Sequence, residues 1–276
     1  MMSLATPHSE DQQAGKDTLP PRADCVADAA GGLTFDVTGI PEDGTHELLL
    51  RSRDEDTDVR LPLTPAGGGR LRAALPGSVE LPEGRWDVYA HTAGAEPRRL
   101  QPGLNDLRAL VDRDPGPGAE RIAVRIPYVT KHNNLTVRSW LRAPHAEAGE
   151  LHIGEGELTV RGRVHGTPLT PSAHAELRGR DGAETVVEAE VTVEDGEFTL
   201  TVVYGTLTAD VWDLWLCPAG GSGPAVRVAR LLDDIADKKP IFAYPRIRTE
   251  RADGALTVQA YYTADNDLSV TVANAS

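Results

Sequence analysis

The chain has 276 residues, with 28 Lys and Arg against 42 Asp and Glu, a formal net charge of −14, and 40% hydrophobic but only 5% aromatic residues. That composition is globular, with cores expected to rest on Val, Leu and Ala. The absence of a long Lys/Arg cluster argues against nucleic acid as a partner, because phosphate binding needs a basic stripe.

Residues 1–28 read as a polar, disordered tail rich in Gln, Asp, Ser and Pro. Met1 to Pro21 lacks both a basic n-region and an apolar h-region, so no secretory signal is expected. No apolar run approaches a membrane span. Cys25 and Cys217 lie far apart without a C-x-x-C neighbour. This spacing argues against zinc or dithiol chemistry and fits a reducing compartment, so a cytoplasmic protein is expected.

Period-2 alternation begins at Leu33, Phe35 and Val37 and closes at Gly39 and Pro41. Glu47 to Arg51, Val59 to Leu63 and Leu71 to Leu75 predict further short strands, separated by turns at Asp54–Asp58 and Gly67–Gly69. Pro82-Glu83-Gly84-Arg85 then feeds a strand at Trp86-Asp87-Val88-Tyr89. Leu104, Leu107, Leu110 and Val111 share one helical face, stopped by Pro115, and predict a short amphipathic helix. A hairpin follows: Ile122 to Ile126, the turn Lys131-His132-Asn133-Asn134, and Leu135 to Trp140. Ala143 to Gly149 reads as a linker.

The pattern then returns. Leu33-Thr34 has its match in Leu158-Thr159, Trp86-Asp87-Val88-Tyr89 in Trp212-Asp213-Leu214-Trp215, and Leu104 to Leu107 in Leu232 to Ile235, at an offset of about 125 residues. A second helix is expected at Val228 to Ile235, stopped by Pro240, although 225–230 also fits a strand. A second hairpin is expected from Ile241 to Ile247 and Leu256 to Tyr261, through Ala252-Asp253-Gly254. The fold class is therefore all-β: two tandem β-sandwiches at 29–142 and 150–276, each with one short helix.

Strand parity places Trp86 and Trp212 inside, and Asp87, Tyr89, Asp213 and Trp215 on the outer face. An aromatic ring beside a carboxylate can hold a sugar, the ring covering C–H groups and the acid accepting hydroxyl hydrogen bonds. The alternative is that a helix or the domain interface covers Tyr89 and Trp215. Trp140, with His132 and Asn133 in the neighbouring turn, has no evident counterpart in the second half and is a further candidate for ligand or partner contact. The triplets Asp54–Asp56, Asp56–Asp58 and Asp265–Asp267 could hold a metal against a diphosphate, but no nucleotide fold accompanies them, and they read as solvated turns. The eight histidines show no metal spacing, and no nucleophile elbow or Walker loop is present. No catalytic residue, metal or cofactor is expected.

Glu157 to Gly166 resembles the first core strand of bacterial immunoglobulin-like modules, and Pro82 to Tyr89 resembles their late, corner-bearing strand, with Trp86 where Tyr is usual. Arg125 to Trp140 and Leu231 to Pro240 resemble actinobacterial proteins with immunoglobulin-like repeats labelled transferases, found with enzymes that build glycerophosphate and sugar polymers of the envelope. The resemblance implies a non-catalytic interaction protein whose partner is a glycopolymer transferase or a carbohydrate. The alternatives are a transferase using an activated sugar or glycerol donor, and a spacer.

Overall fold

The computed structural model describes residues 20–111, 113–116, 119–181, 185–252 and 254–275. The first body contains β1 (Arg22–Ala27), β2 (Leu33–Thr38), β3 (His46–Ser52), β4 (Asp58–Gly67), β5 (Arg70–Leu75), β6 (Gly84–Thr92), β7 (Arg98–Arg99), β8 (Gln101–Asp106), β9 (Ile122–Val129) and β10 (Leu135–Arg142). The second contains β11 (His145–Ile153), β12 (Glu157–His165), β13 (His174–Gly179), β14 (Val186–Glu194), β15 (Glu197–Val203), β16 (Asp210–Cys217), β17 (Val226–Ala229), β18 (Ile247–Arg251), β19 (Gly254–Tyr262) and β20 (Leu268–Asn274). Among the described residues no helix is long and apolar enough to cross a membrane.

Pairing runs β8-β1-β2-β5-β4-β3-β6-β10-β9 in the first body. The second follows the corresponding path, β17-β11-β12-β15-β14-β13-β16-β20-β19, with β18 added at the edge. Each path contains one parallel pair, β1 with β8 and β11 with β17. The ribbon folds over where a strand changes partner midway, β4 in the first body and β14 in the second, and β17 closes the second body by pairing with both β16 and β11. Asp58 to Leu63 of β4 pairs with β3, and Thr64 to Gly67 pairs with β5. Likewise β14 pairs with β13 up to Ala189 and with β15 from Glu190. The two faces so formed enclose a core of alternate residues, the expected outcome of a period-2 pattern. Trp86 and Trp212 are buried in the two cores. Each indole donates to the carbonyl four residues earlier, Pro82 O at 3.0 Å and Thr208 O at 2.9 Å.

Four expectations are corrected. The tail does not extend to residue 28: β1 is an ordered strand whose Ala23, Cys25 and Ala27 face the core, a pattern masked by small side chains. Residues 1–19 lie outside the described residues. The linker is also shorter, since β11 starts at His145 and pairs with β12.

Neither predicted helix forms. In the first body Gln101–Asp106 is a strand, Leu104 is 75% exposed, and only a 3₁₀ turn at Arg108–Leu110 follows. The parallel ladder with β1 and the Asp24 carboxylate, which accepts the Leu104 N–H at 2.7 Å, take the backbone groups a helix needs. A Cβ on Gly103 would meet Asp24 Oδ1 at 2.0 Å and Ala23 O at 2.6 Å, so the close approach of these strands requires glycine. In the second body β17 ends at Ala229. The Leu231 and Leu232 N–H groups donate to the Glu147 carboxylate at 2.9–3.1 Å and not to helical carbonyls.

Finally, the counterpart of the β9–β10 hairpin is β19–β20, because β10 pairs with β6 as β20 pairs with β16. Ile247–Arg251 forms an extra edge hairpin with β19.

Candidate functional site

The outer faces of β6 and β16 carry the same polar cluster. Asp87 Oδ1 accepts from Arg53 Nη2 (2.6 Å), Arg99 Nη2 (2.6 Å) and Thr136 Oγ1 (3.0 Å). Asp213 Oδ1 accepts from Arg180 Nη2 (2.8 Å), Arg227 Nη2 (2.9 Å) and Ser269 Oγ (2.8 Å). Arg99 and Arg227 also donate to the carbonyls of Val88 and Leu214. Burial disfavours ionisation of Asp213, but hydrogen bonds from Arg180 and Ser269 and the nearby guanidinium charges outweigh it and hold this carboxyl below the ordinary aspartate range.

The neighbouring aromatics complete the clusters. Arg51 and Arg99 lie over Tyr89 at 5.5 and 4.9 Å from the ring centroid, and Arg178 and Arg227 lie over Trp215 at 4.4 and 5.4 Å. The expected aromatic–carboxylate neighbourhood is present in both bodies. Its ring faces already carry guanidinium groups, which a stacking sugar would have to displace. The arginines tie β3 to β6 and β7, and β13 to β16 and β17.

A second pair of equivalent elements lies at the β9–β10 and β19–β20 turns. Thr130 N donates to Asn134 O, Asn133 N to Thr130 O and Asn134 N to Thr130 Oγ1. Thr263, Asn266 and Asp267 repeat these bonds. Asn133 and Asn266 share a left-handed backbone, φ 56° and 62°, which asparagine tolerates well. The turn therefore does have a counterpart, contrary to the sequence reading. Thr130 and Asn133 recur as Thr263 and Asn266, while the other side chains differ: Lys131, His132 and Asn134 correspond to Ala264, Asp265 and Asp267.

The two turns have different surroundings. Asp265 accepts from Arg138 Nη2 at 2.7 Å and, through its carbonyl, from Trp140 Nε1 at 3.1 Å. Asp267 accepts from Arg142 Nη1 at 2.6 Å. The Asn266 amide is buried, accepting from Lys238 N and donating to Ala236 O. The second body thus docks its turn onto the end of β10. Ala229 and Leu231 are buried with the first core, and Leu232 and Ala236 pack against it. Lys238 seals the junction: it is fully buried, and its Nζ donates to Asp233 Oδ1 (2.7 Å) and Ile235 O (2.8 Å).

Of the predicted residues, Trp140 is buried in this junction, and its polar partner is the second body of the same chain. His132 and Asn133 are exposed at the free turn of the first body, remote in role from the Asp87–Tyr89 and Asp213–Trp215 clusters. Sequence reasoning missed Arg138, Arg142, Asp265 and Asp267 at the junction. It also missed a cleft of about 450 Å³ between the bodies, lined by Arg113, Glu147, Arg161, Arg163, His165 and Arg230 among others.

No family model matches the chain, and no curated protein matches it. Among solved structures it is similar to a crystal structure of S. aureus TarS (14% identity over 65% of this chain and 35% of that one, TM-score 0.31). It is also similar to residues 217–571 of S. aureus TarS (13%, 75% and 62%, TM-score 0.32) and to a pullulanase complexed with maltotriose from Anoxybacillus sp. LM18-11 (11%, 70% and 23%, TM-score 0.25). The chain spans less than two thirds of each of these, and scores at this level assign neither fold family nor activity.

Proposed function

We propose that the chain is a non-catalytic β-sandwich interaction protein that docks on a partner through the exposed Lys131–Asn134 turn. The observation that carries this reading is the fate of the equivalent turn. In the second body the same backbone shape, with Asp265 and Asp267, is an established docking element that engages Arg138, Trp140 and Arg142. In the first body that shape is exposed, and its acids are replaced by His132 and Asn134 beside Lys131. Such a turn suits a partner surface that offers carboxylates and carbonyls, the charge complement of the internal receiver.

The resemblance of Arg125 to Trp140 and of Leu231 to Pro240 to actinobacterial transferase-associated repeats makes an envelope glycopolymer transferase the partner of choice. The two cysteines are buried free thiols, which fits action on the cytoplasmic side. The duplicated Asp–Arg–aromatic clusters act in this scheme as cross-strand ties that stiffen the sheets.

A photo-crosslinking residue at position 132 of the full chain, compared with one at exposed Gly94, tests the reading in lysate of the source cell. A glycopolymer glycosyl- or glycerophospho-transferase crosslinked from position 132 alone, and lost on Lys131→Glu, is the expected result. Identical crosslinks from both positions would overturn it.

A further inference from the structure

The two outer faces differ in charge next to the Trp215 cluster. On β13 and β16, His174 pairs across with Cys217 and Glu176 with Trp215, so His174, Glu176 and Cys217 share one face. One donor atom from each lies within 4.8 Å of the others. His174 Nε2 and Glu176 Oε1 are 3.7 Å apart. The other carboxylate oxygen, Oε2, is held by Arg178 at 2.7 Å, which turns Oε1 toward the histidine.

The first body shows what this place holds elsewhere. By strand register, His174, Glu176 and Cys217 correspond to Glu47, Leu49 and His91, and Glu188 opposite Glu176 corresponds to Arg60 opposite Leu49. There the Arg60 guanidinium donates to Glu47 Oε2 at 2.9 Å and lies 3.4 Å from His91 Nδ1. A cation built into the chain bridges the acid and the imidazole. In the second body that cation is replaced by the carboxylate of Glu188, and the donors beneath it become imidazole, carboxylate and thiol. The second body has lost the Arg60 cation and gained acid and sulfur, while Arg178 still holds Glu176 Oε2.

We propose that His174, Glu176 and Cys217 bind a zinc ion, with water in the fourth position. Mixed nitrogen, oxygen and sulfur donors suit Zn²⁺, whereas Mg²⁺ and Ca²⁺ take all-oxygen sets. Ligand atoms around tetrahedral zinc stand about 3.2–3.8 Å apart. The His174–Glu176 distance already fits, and side-chain rotation brings the sulfur in by about 1 Å. Arg178 acts as the orienting partner of a ligating carboxylate, a common feature around metals. The thiol proton must leave for the sulfur to bind the metal. Binding replaces the S–H bond with a Zn–S bond and releases that proton to the buffer.

The test uses the chelator-washed full chain, titrated with Zn²⁺ by calorimetry in two buffers of different ionisation enthalpy and with Co²⁺ by absorption. One zinc per chain, release of about one proton, and a sulfur-to-cobalt charge-transfer band in the near ultraviolet are expected. Cys217→Ser abolishes the band. His174→Ala, at a partly exposed position that leaves the core intact, weakens zinc at least tenfold, while His91→Ala in the first body leaves it unchanged. A cobalt spectrum without the sulfur band, a smaller effect of His174→Ala, or an equal effect of His91→Ala overturns the assignment.

Discussion

The β9–β10 and β19–β20 turns have one backbone and two fates. Both use a threonine to close the loop and an asparagine in the left-handed region. One is solvated, and the other is pinned between two bodies by Arg138, Trp140 and Arg142. The comparison separates what shapes a loop from what gives it a task. The shared threonine and asparagine with their backbone hydrogen bonds fix the shape, and the three differing side chains decide whether it is a surface or an interface.

The largest effect is expected of Trp140→Ala. Removing a fully buried indole that also donates to Asp265 should cost about 3–5 kcal/mol in chemical denaturation. Amide exchange should rise both in β10 and in residues 229–236, and protection unchanged in the latter would show that the bodies do not depend on this contact. Asp265→Ala comes next. It leaves Arg138, 8% exposed, without its carboxylate, while Asp265 itself is 55% exposed. Solvent screening therefore limits the loss to about 1–2 kcal/mol. The equivalent substitution, His132→Ala, should stay within about 0.5 kcal/mol, so equal effects at the two turns would end the distinction.

A subtler effect concerns pH. The Asp213 carboxyl is held below its ordinary value, so its stabilisation is complete above the unfolded value of about 3.9 and fades as pH falls through the lower folded value. Asp213→Asn should lower stability at neutral pH and flatten the acid side of the stability profile. A wild-type slope retained in the variant would contradict the role given to this cluster. A small change is expected from Tyr89→Ala, which removes two cation–π contacts on a half-buried ring worth about 0.5–1 kcal/mol. It should leave crosslinking from position 132 intact.

Much of the fold was legible. Alternation marked β2, β6, β12 and β16, and the recurrence of Trp86-Asp87 in Trp212-Asp213 placed both indoles inside and both carboxylates outside. What escaped the sequence has physical causes. β1 hides because Ala23, Cys25 and Ala27 carry little hydrophobic signal. The helices were misread because Leu104 to Leu110 and Val228 to Ile235 have helical spacing, while Asp24 and Glu147, distant in the chain, capture their amides. The turn equivalence was obscured because only Thr130/Thr263 and Asn133/Asn266 are shared, while the residues between and after them differ in charge. His174, Glu176 and Cys217 come from neighbouring strands, a proximity that only cross-strand register reveals.

The register also assigns a direction to the molecule. Arg138, Trp140 and Arg142 on β10 correspond to Thr271, Ala273 and Ala275 at the end of β20. Exchanging the order of the bodies would set a lysine-bearing tip against a stretch with neither guanidinium nor indole. The halves share a blueprint but are not interchangeable beads.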